Sequence, residues 1–111
     1  MVDPRTPKIG RRVVTGFDSN GKSIIALDGP IPEAGIGSDP GRIVNWVWKA
    51  NEVPSTLSDA VDPIENYKPK RDWPPREGCL VSIFKWEPGA SYPMHTTPTI
   101  DVAFVLSGRL S

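Results

Sequence analysis

The clearest pattern in the chain is RIVNWVWKA, from Arg42 to Ala50. There Val44, Trp46 and Trp48 recur at every second position against Ile43, Asn45, Val47 and Lys49. A repeat of two belongs to a β-strand, whose successive side chains point to opposite faces. It predicts a strand over 42–50 with Val44, Trp46 and Trp48 on one face. CLVSIFKWE, from Cys79 to Glu87, is apolar on both alternations, as a strand covered on both faces in a barrel or dimer would be. RRVVTGFDSNGKSIIALDGP, from Arg11 to Pro30, predicts two short strands, Val13 and Val14 before a turn and Ile24, Ile25 and Leu27 after it. Asn20-Gly21 is the turn pair, because both residues tolerate positive φ. A last apolar run, IDVAFVLSGRLS from Ile100 to Ser111, predicts a final strand with a turn or bulge at Ser107-Gly108.

The segments between these runs are punctuated. Ile31 to Gly41 is predicted as a loop by its Pro, Gly and Ser-Asp content, and Pro88 to Met94 as a turn and crossing. Asn51 to Gly78 contains five prolines among mixed charges and reads as a long surface loop. It has room for at most one helical turn, over Ser55 to Ala60, with Ser55 as its cap. The whole chain holds 13 prolines and 10 glycines in 111 residues. Proline is excluded from helix interiors and from most central strands, and no stretch keeps a helical period beyond two turns. The fold class predicted is all-β, in one domain spanning 1–111: strands within 11–50, a Pro-rich loop over 51–78 and further strands within 79–111.

Charge narrows the partners. Thirteen basic and thirteen acidic residues cancel, which argues against nucleic acid, whose binders present a basic face, and against a polybasic membrane patch. No apolar run approaches the ~20 residues of a membrane span, and MVDPRTPKIGRR lacks the apolar core of a secretory signal. The single cysteine, Cys79, has no intramolecular partner. Its apolar surroundings favour a buried structural thiol over a reactive one, and a reducing, cytoplasmic location follows as the default.

Candidate chemistry centres on PMHTTPTID. His95 is the only histidine, and neutral imidazole coordinates most transition metals. Asp101 is a second candidate ligand, through oxygen, and Thr97 would face the same way as His95 in an extended chain. The plain alternative is a surface or hydrogen-bonded histidine beside a turn. Trp46, Trp48, Phe84, Trp86 and Phe104, with Trp73, either line a pocket for an aromatic or apolar ligand or fill the core, and Tyr92 and Met94 flank His95. Glu87 with Asp101 is a possible acid/base pair. Lys68, Lys70, Arg71 and Arg76 are read as a solvated loop, with an anion grip as the alternative.

The spacing of the last segment resembles a known pattern. Gly89, five residues, His95, then Thr97, three residues, Asp101, six residues and Gly108 is similar to the first conserved motif of the cupin superfamily, G-x5-H-x-H-x3,4-E-x6-G. EPGASYPMHTTPTIDVAFVLSGRLS resembles that motif throughout, and the upstream strands look like the N-terminal arm of small single-domain cupins. The resemblance implies an antiparallel jelly-roll β-barrel with Gly89 and Gly108 as structural positions. It also implies a divalent transition metal (Mn, Fe, Ni or Zn) held by His95 and Asp101, which would be the catalytic residues. Two ligand positions depart from the pattern: Thr97 stands where the second His is expected, and Asp101 where the Glu is. The further His that cupins supply from a second motif, and several barrel strands, would lie beyond Ser111. The chain therefore reads as an incomplete barrel, either a truncated product or one of two copies completing each other's sheets.

Two functional expectations follow. One is a cupin-like enzyme or enzyme remnant acting on an apolar or aromatic small metabolite through a degenerate metal site. The other is a metal-free small-molecule-binding or dimerisation module, with a homodimer formed through exposed strands. The type of fold alone selects no reaction.

Overall fold

A computed structural model describes residues 10–34, 41–53, 62–65, 67 and 77–111. Five strands follow in chain order: β1 (Arg11–Phe17), β2 (Ser23–Pro30), the two-residue β3 (Glu33–Ala34), β4 (Arg42–Ala50) and β5 (Cys79–Trp86). All pairings are antiparallel, and the described residues contain no helix. β1 and β2 form a two-stranded ribbon, while β3, β4 and β5 form a second sheet in that order. The described residues are all-β, as the alternation predicts. The described strands make two separate sheets and do not close into a barrel.

The ribbon turns where Asn20-Gly21 predicts. Gly21 takes φ 75°, and the Asp18 carboxylate accepts hydrogen bonds from the Asn20 and Lys22 amides at 2.8 and 2.9 Å. An aspartate satisfying amides two and four residues ahead fixes a tight turn without any tertiary partner. The ribbon is amphipathic: exposed and half-buried positions alternate along β1.

β4 has the bounds its alternation predicts, and it carries the core. Val44 is 0% exposed and Trp46 1%, closed over by Ile64 with Tyr67 and Leu80 against them. Tyr67 meets Trp46 edge to face, with centroids 5.4 Å apart, the arrangement favoured by the ring quadrupole. Asn45, on the other alternation, is equally buried, and its amide donates to the Ile83 carbonyl at 3.3 Å.

One expectation for β4 is corrected. Trp46 is opposite Ser82 and Trp48 opposite Val81, so Val47 is an extra residue, a β-bulge. Beyond it the faces exchange. Lys49, opposite Leu80, joins the core face and sets its ammonium 4.5 Å from the Tyr67 centroid, whereas Trp48 goes with Val81 to the other face.

The Pro-rich segment is likewise more than a surface loop. Asp62 accepts the Ile64 amide at 3.0 Å, and Tyr67 donates to the Ile64 carbonyl at 3.0 Å. These turns drive Ile64 into the core. The same Asp62 binds Arg12 of β1 in a two-pronged pair at 2.8 and 2.5 Å, with the side chains 10% and 14% exposed. Arg12 also donates to the Val47 carbonyl at 3.5 Å, so one guanidinium ties the ribbon to the loop and to the bulge of β4. Ser55 to Ala60, Trp73 and the Lys68, Lys70, Arg71 and Arg76 group lie outside the described residues.

Two further expectations are corrected. Cys79 is exposed, because it begins β5 beyond the packed stretch. Residues 100–111 form no strand and are exposed throughout. Their apolar alternation is suited to a strand, but a strand exists only where a neighbour takes its amides and carbonyls. No helix among the described residues is long and apolar enough to cross a membrane.

Candidate functional site: the aromatic face of β4 and β5 and the segment beyond it

β5 leaves the sheet through a turn that brings Ala90 and Tyr92 back against the start of β4. Glu87 donates to the Gly41 carbonyl at 2.8 Å, Ala90 donates to the Glu87 carbonyl at 3.0 Å, and Gly89 takes φ 81° between them. Gly41 also has positive φ, 79°, and a Cβ built there would stand 3.1 Å from the Ala90 methyl. Glycine at both positions lets the turn lie close against the start of β4.

That approach assembles an aromatic group around Arg42. Arg42 is opposite Trp86, and Val44 opposite Phe84, so Arg42, Phe84 and Trp86 share one face. The guanidinium carbon lies 3.9 Å from the Tyr92 centroid, 5.5 Å from Trp86 and 5.9 Å from Phe84. All three are within cation–π range. Phe84 and Trp86 stack at 6.5 Å, and Tyr92 meets His95 edge to face at 4.9 Å. Phe84 is 39% and Tyr92 43% exposed, so this face combines a fixed cation with aromatic surface open to a ligand.

His95 Nδ1 is 2.9 Å from the Pro93 carbonyl oxygen. A carbonyl only accepts, so Nδ1 is the donor, and in the neutral ring this tautomer leaves the lone pair on Nε2. Further on, Thr97 Oγ1 and Thr99 Oγ1 are 2.8 Å apart, and the Thr99 hydroxyl donates to Asp101 at 2.7 Å. Thr97, Thr99 and Asp101 are therefore linked through their side chains across the bend at 98–99. Among the described residues no three His, Cys, Asp or Glu side chains gather as a metal site.

Of the pocket residues named from sequence, Phe84, Trp86 and Tyr92 come together. Trp46 is sealed in the core, Trp48 is turned away by the bulge, and Met94 and Phe104 are 98% and 82% exposed. Gly89 occupies a turn within the stretch where the Pro-Gly content predicts one, and Gly108, at φ 80°, sits in a bend. Arg42 was not anticipated. Its signal was positional, two residues before Val44 on the same alternation. No protein-family model matches the chain, and no curated protein is significantly similar to it. The fold and this face define an antiparallel all-β protein with an aromatic, cation-centred surface.

Proposed function

We propose that the chain is a cupin-like, cytoplasmic small-molecule-binding domain that seats an apolar or aromatic metabolite on Phe84, Trp86 and Tyr92, beside Arg42. The observation that carries the reading is the Arg42 guanidinium held within 6 Å of three aromatic centroids, two of them on partly exposed rings. Flat ligands gain area and quadrupole contact on such rings at little entropic cost, since each ring is already held. The spacing of Gly89, His95, Asp101 and Gly108 supports the cupin-like part of the proposal.

The donors do not fit a resident metal held by one copy. His95 offers Nε2 and Asp101 a carboxylate, the hydroxyls of Thr97 and Thr99 are poor ligands, and a transition-metal centre needs three or four good donors. Binding is therefore assigned to the aromatic face alone. A second reading, proton transfer to a bound ligand, is favoured by one observation, the His95 ring held by the Pro93 carbonyl and set edge to face 4.9 Å from Tyr92.

Titration with 2-naphthoate and with cyclohexanecarboxylate, followed by tryptophan fluorescence, tests the proposal. Tyr92→Ala is expected to weaken naphthoate binding by about tenfold, the loss of one aromatic contact, while Phe17→Ser on the distant ribbon leaves it unchanged. Equal affinity in Tyr92→Ala and the parent chain would remove the site.

A further inference from the structure

Among the described residues, two features lack a partner and match each other. The segment from Ile100 to Leu110 exposes Ile100, Val102, Phe104, Val105, Leu106 and Leu110. β5 has β4 on one side and, among the described residues, no strand on its other edge, and an open edge is a template for pairing. We propose that residues 100–107 of one copy add as an antiparallel strand to the open edge of β5 in a second copy.

Side-chain chemistry selects one register. With Asp101 opposite Lys85, Ile100 meets Trp86, Val102 meets Phe84, Phe104 meets Ser82 and Leu106 meets Leu80. Directly opposite residues share a face, so the four apolar side chains extend the face that carries Val44 and Trp46. On the reverse face Ala103 and Val105 meet Ile83 and Val81. Charge agrees at both ends: Asp101 stands against Lys85, and the same register continued brings Arg109 against Glu77.

Neighbouring registers fail on physical grounds. A one-residue slip moves Asp101 onto the face of Phe84 and Trp86. Two-residue slips place it against Glu87, a like charge, or against Ile83. Parallel addition with Asp101 still at Lys85 carries Phe104 and Leu106 past the end of β5. Within one copy every residue from 100 to 111 is exposed, clear of β5, so strand and edge come from different molecules. Reciprocal exchange gives a two-fold dimer. Ile100 and Val102 then stand beside Trp86 and Phe84 at the margin of the ligand face, and sedimentation without ligand tests the pairing apart from the ligand reading.

The only cysteine provides the test. Cys79 is exposed, and the register places Ser107 opposite it. Directly opposed Cα atoms lie about 4.5–5.5 Å apart, within disulfide reach. Mild oxidation of Ser107→Cys is expected to give a covalent dimer, with Ala103→Cys giving no more than the parent chain. In sedimentation, Asp101→Lys should weaken the dimer at least tenfold, and adding Lys85→Asp should restore it. Consumption of both thiols within a single chain would assign the strand to its own β5 and overturn the proposal. Equal cross-linking by Ala103→Cys, or no rescue by the double exchange, would overturn the register.

Discussion

β4 and the segment from 100 to 110 have similar apolar content and opposite fates. β4 has strands on both sides and a loop residue, Ile64, over its face, and its central residues are closed from water. The later segment has as many large apolar residues, but Ile100 is 97% exposed. Apolar alternation gives a segment the capacity to be a strand, whereas burial comes from what lies beside and above it. The ion pairs repeat the contrast. Arg12–Asp62 joins distant parts of the chain at 10% and 14% exposure, while Arg11–Asp28 spans one ribbon at 71% and 47%.

The sharpest way to widen that contrast is to empty the core. Trp46→Ala should cost about 3–5 kcal/mol in urea unfolding, from lost burial plus the residual cavity. Phe104→Ser, measured where the chain is monomeric, should stay within about 0.5 kcal/mol; a cost above 2 would mean that the segment packs in the monomer.

Next in size is Arg12→Met. It leaves Asp62 charged and largely enclosed, and should cost about 3 kcal/mol, the low end for breaking a buried pair. Arg11→Met should cost no more than about 0.5 kcal/mol, because its partner stays in water. Equal losses in the two variants would erase the distinction drawn between the pairs.

Gly78→Ala follows. A Cβ there collides with the Ala50 carbonyl group, its carbonyl carbon lying 2.6 Å away, so backbone must shift at the open end of β4 and β5. About 1–3 kcal/mol is expected, as for overpacking elsewhere, and Gly29→Ala, with nothing within 4 Å, serves as the mild comparison.

The smallest effect is a dependence on pH. Hydrogen bonding to Arg12 chiefly, opposed by burial and aided by the Ile64 amide and the Arg12 charge, holds the Asp62 carboxyl below its ordinary value of 3.8. A depressed carboxyl stabilises the fold fully above its unfolded value and loses that contribution as pH falls through the folded one. The Arg12 guanidinium, raised mainly by its hydrogen bond to Asp62, remains charged throughout that range. Acid melts of the parent chain should therefore fall more steeply below pH 3.8 than those of Asp62→Asn, and parallel curves would show that the pair contributes nothing.

What the sequence revealed was mostly local. The period of two located β4 to the residue, and Asn20-Gly21 located the ribbon's turn, because both signals lie within a few neighbours. The bulge at Val47 stayed hidden because its side chain is apolar and leaves the alternation looking intact. Ile64 and Tyr67 lie among prolines and charges, and only their turns bring them to Trp46. Arg12 meets Asp62 across 50 positions of chain, a separation that carries no periodic signal. The Pro88-Gly89 pair marked the turn that Gly89 takes, yet no local signal pointed to Arg42, which gathers the rings.

The bulge has a last consequence. By inserting one residue, Val47 makes β4 two half-strands of opposite phase, the first committing Trp46 to the core and the second committing Lys49 to the Tyr67 ring. Pairing that residue in an unbroken ladder would act like a reading-frame shift in three dimensions. Lys49 would swing to the far face, and Trp48 would arrive beside a core already occupied by Trp46. The place of the one unpaired residue is as much a part of the specification of β4 as the hydrophobicity of its neighbours.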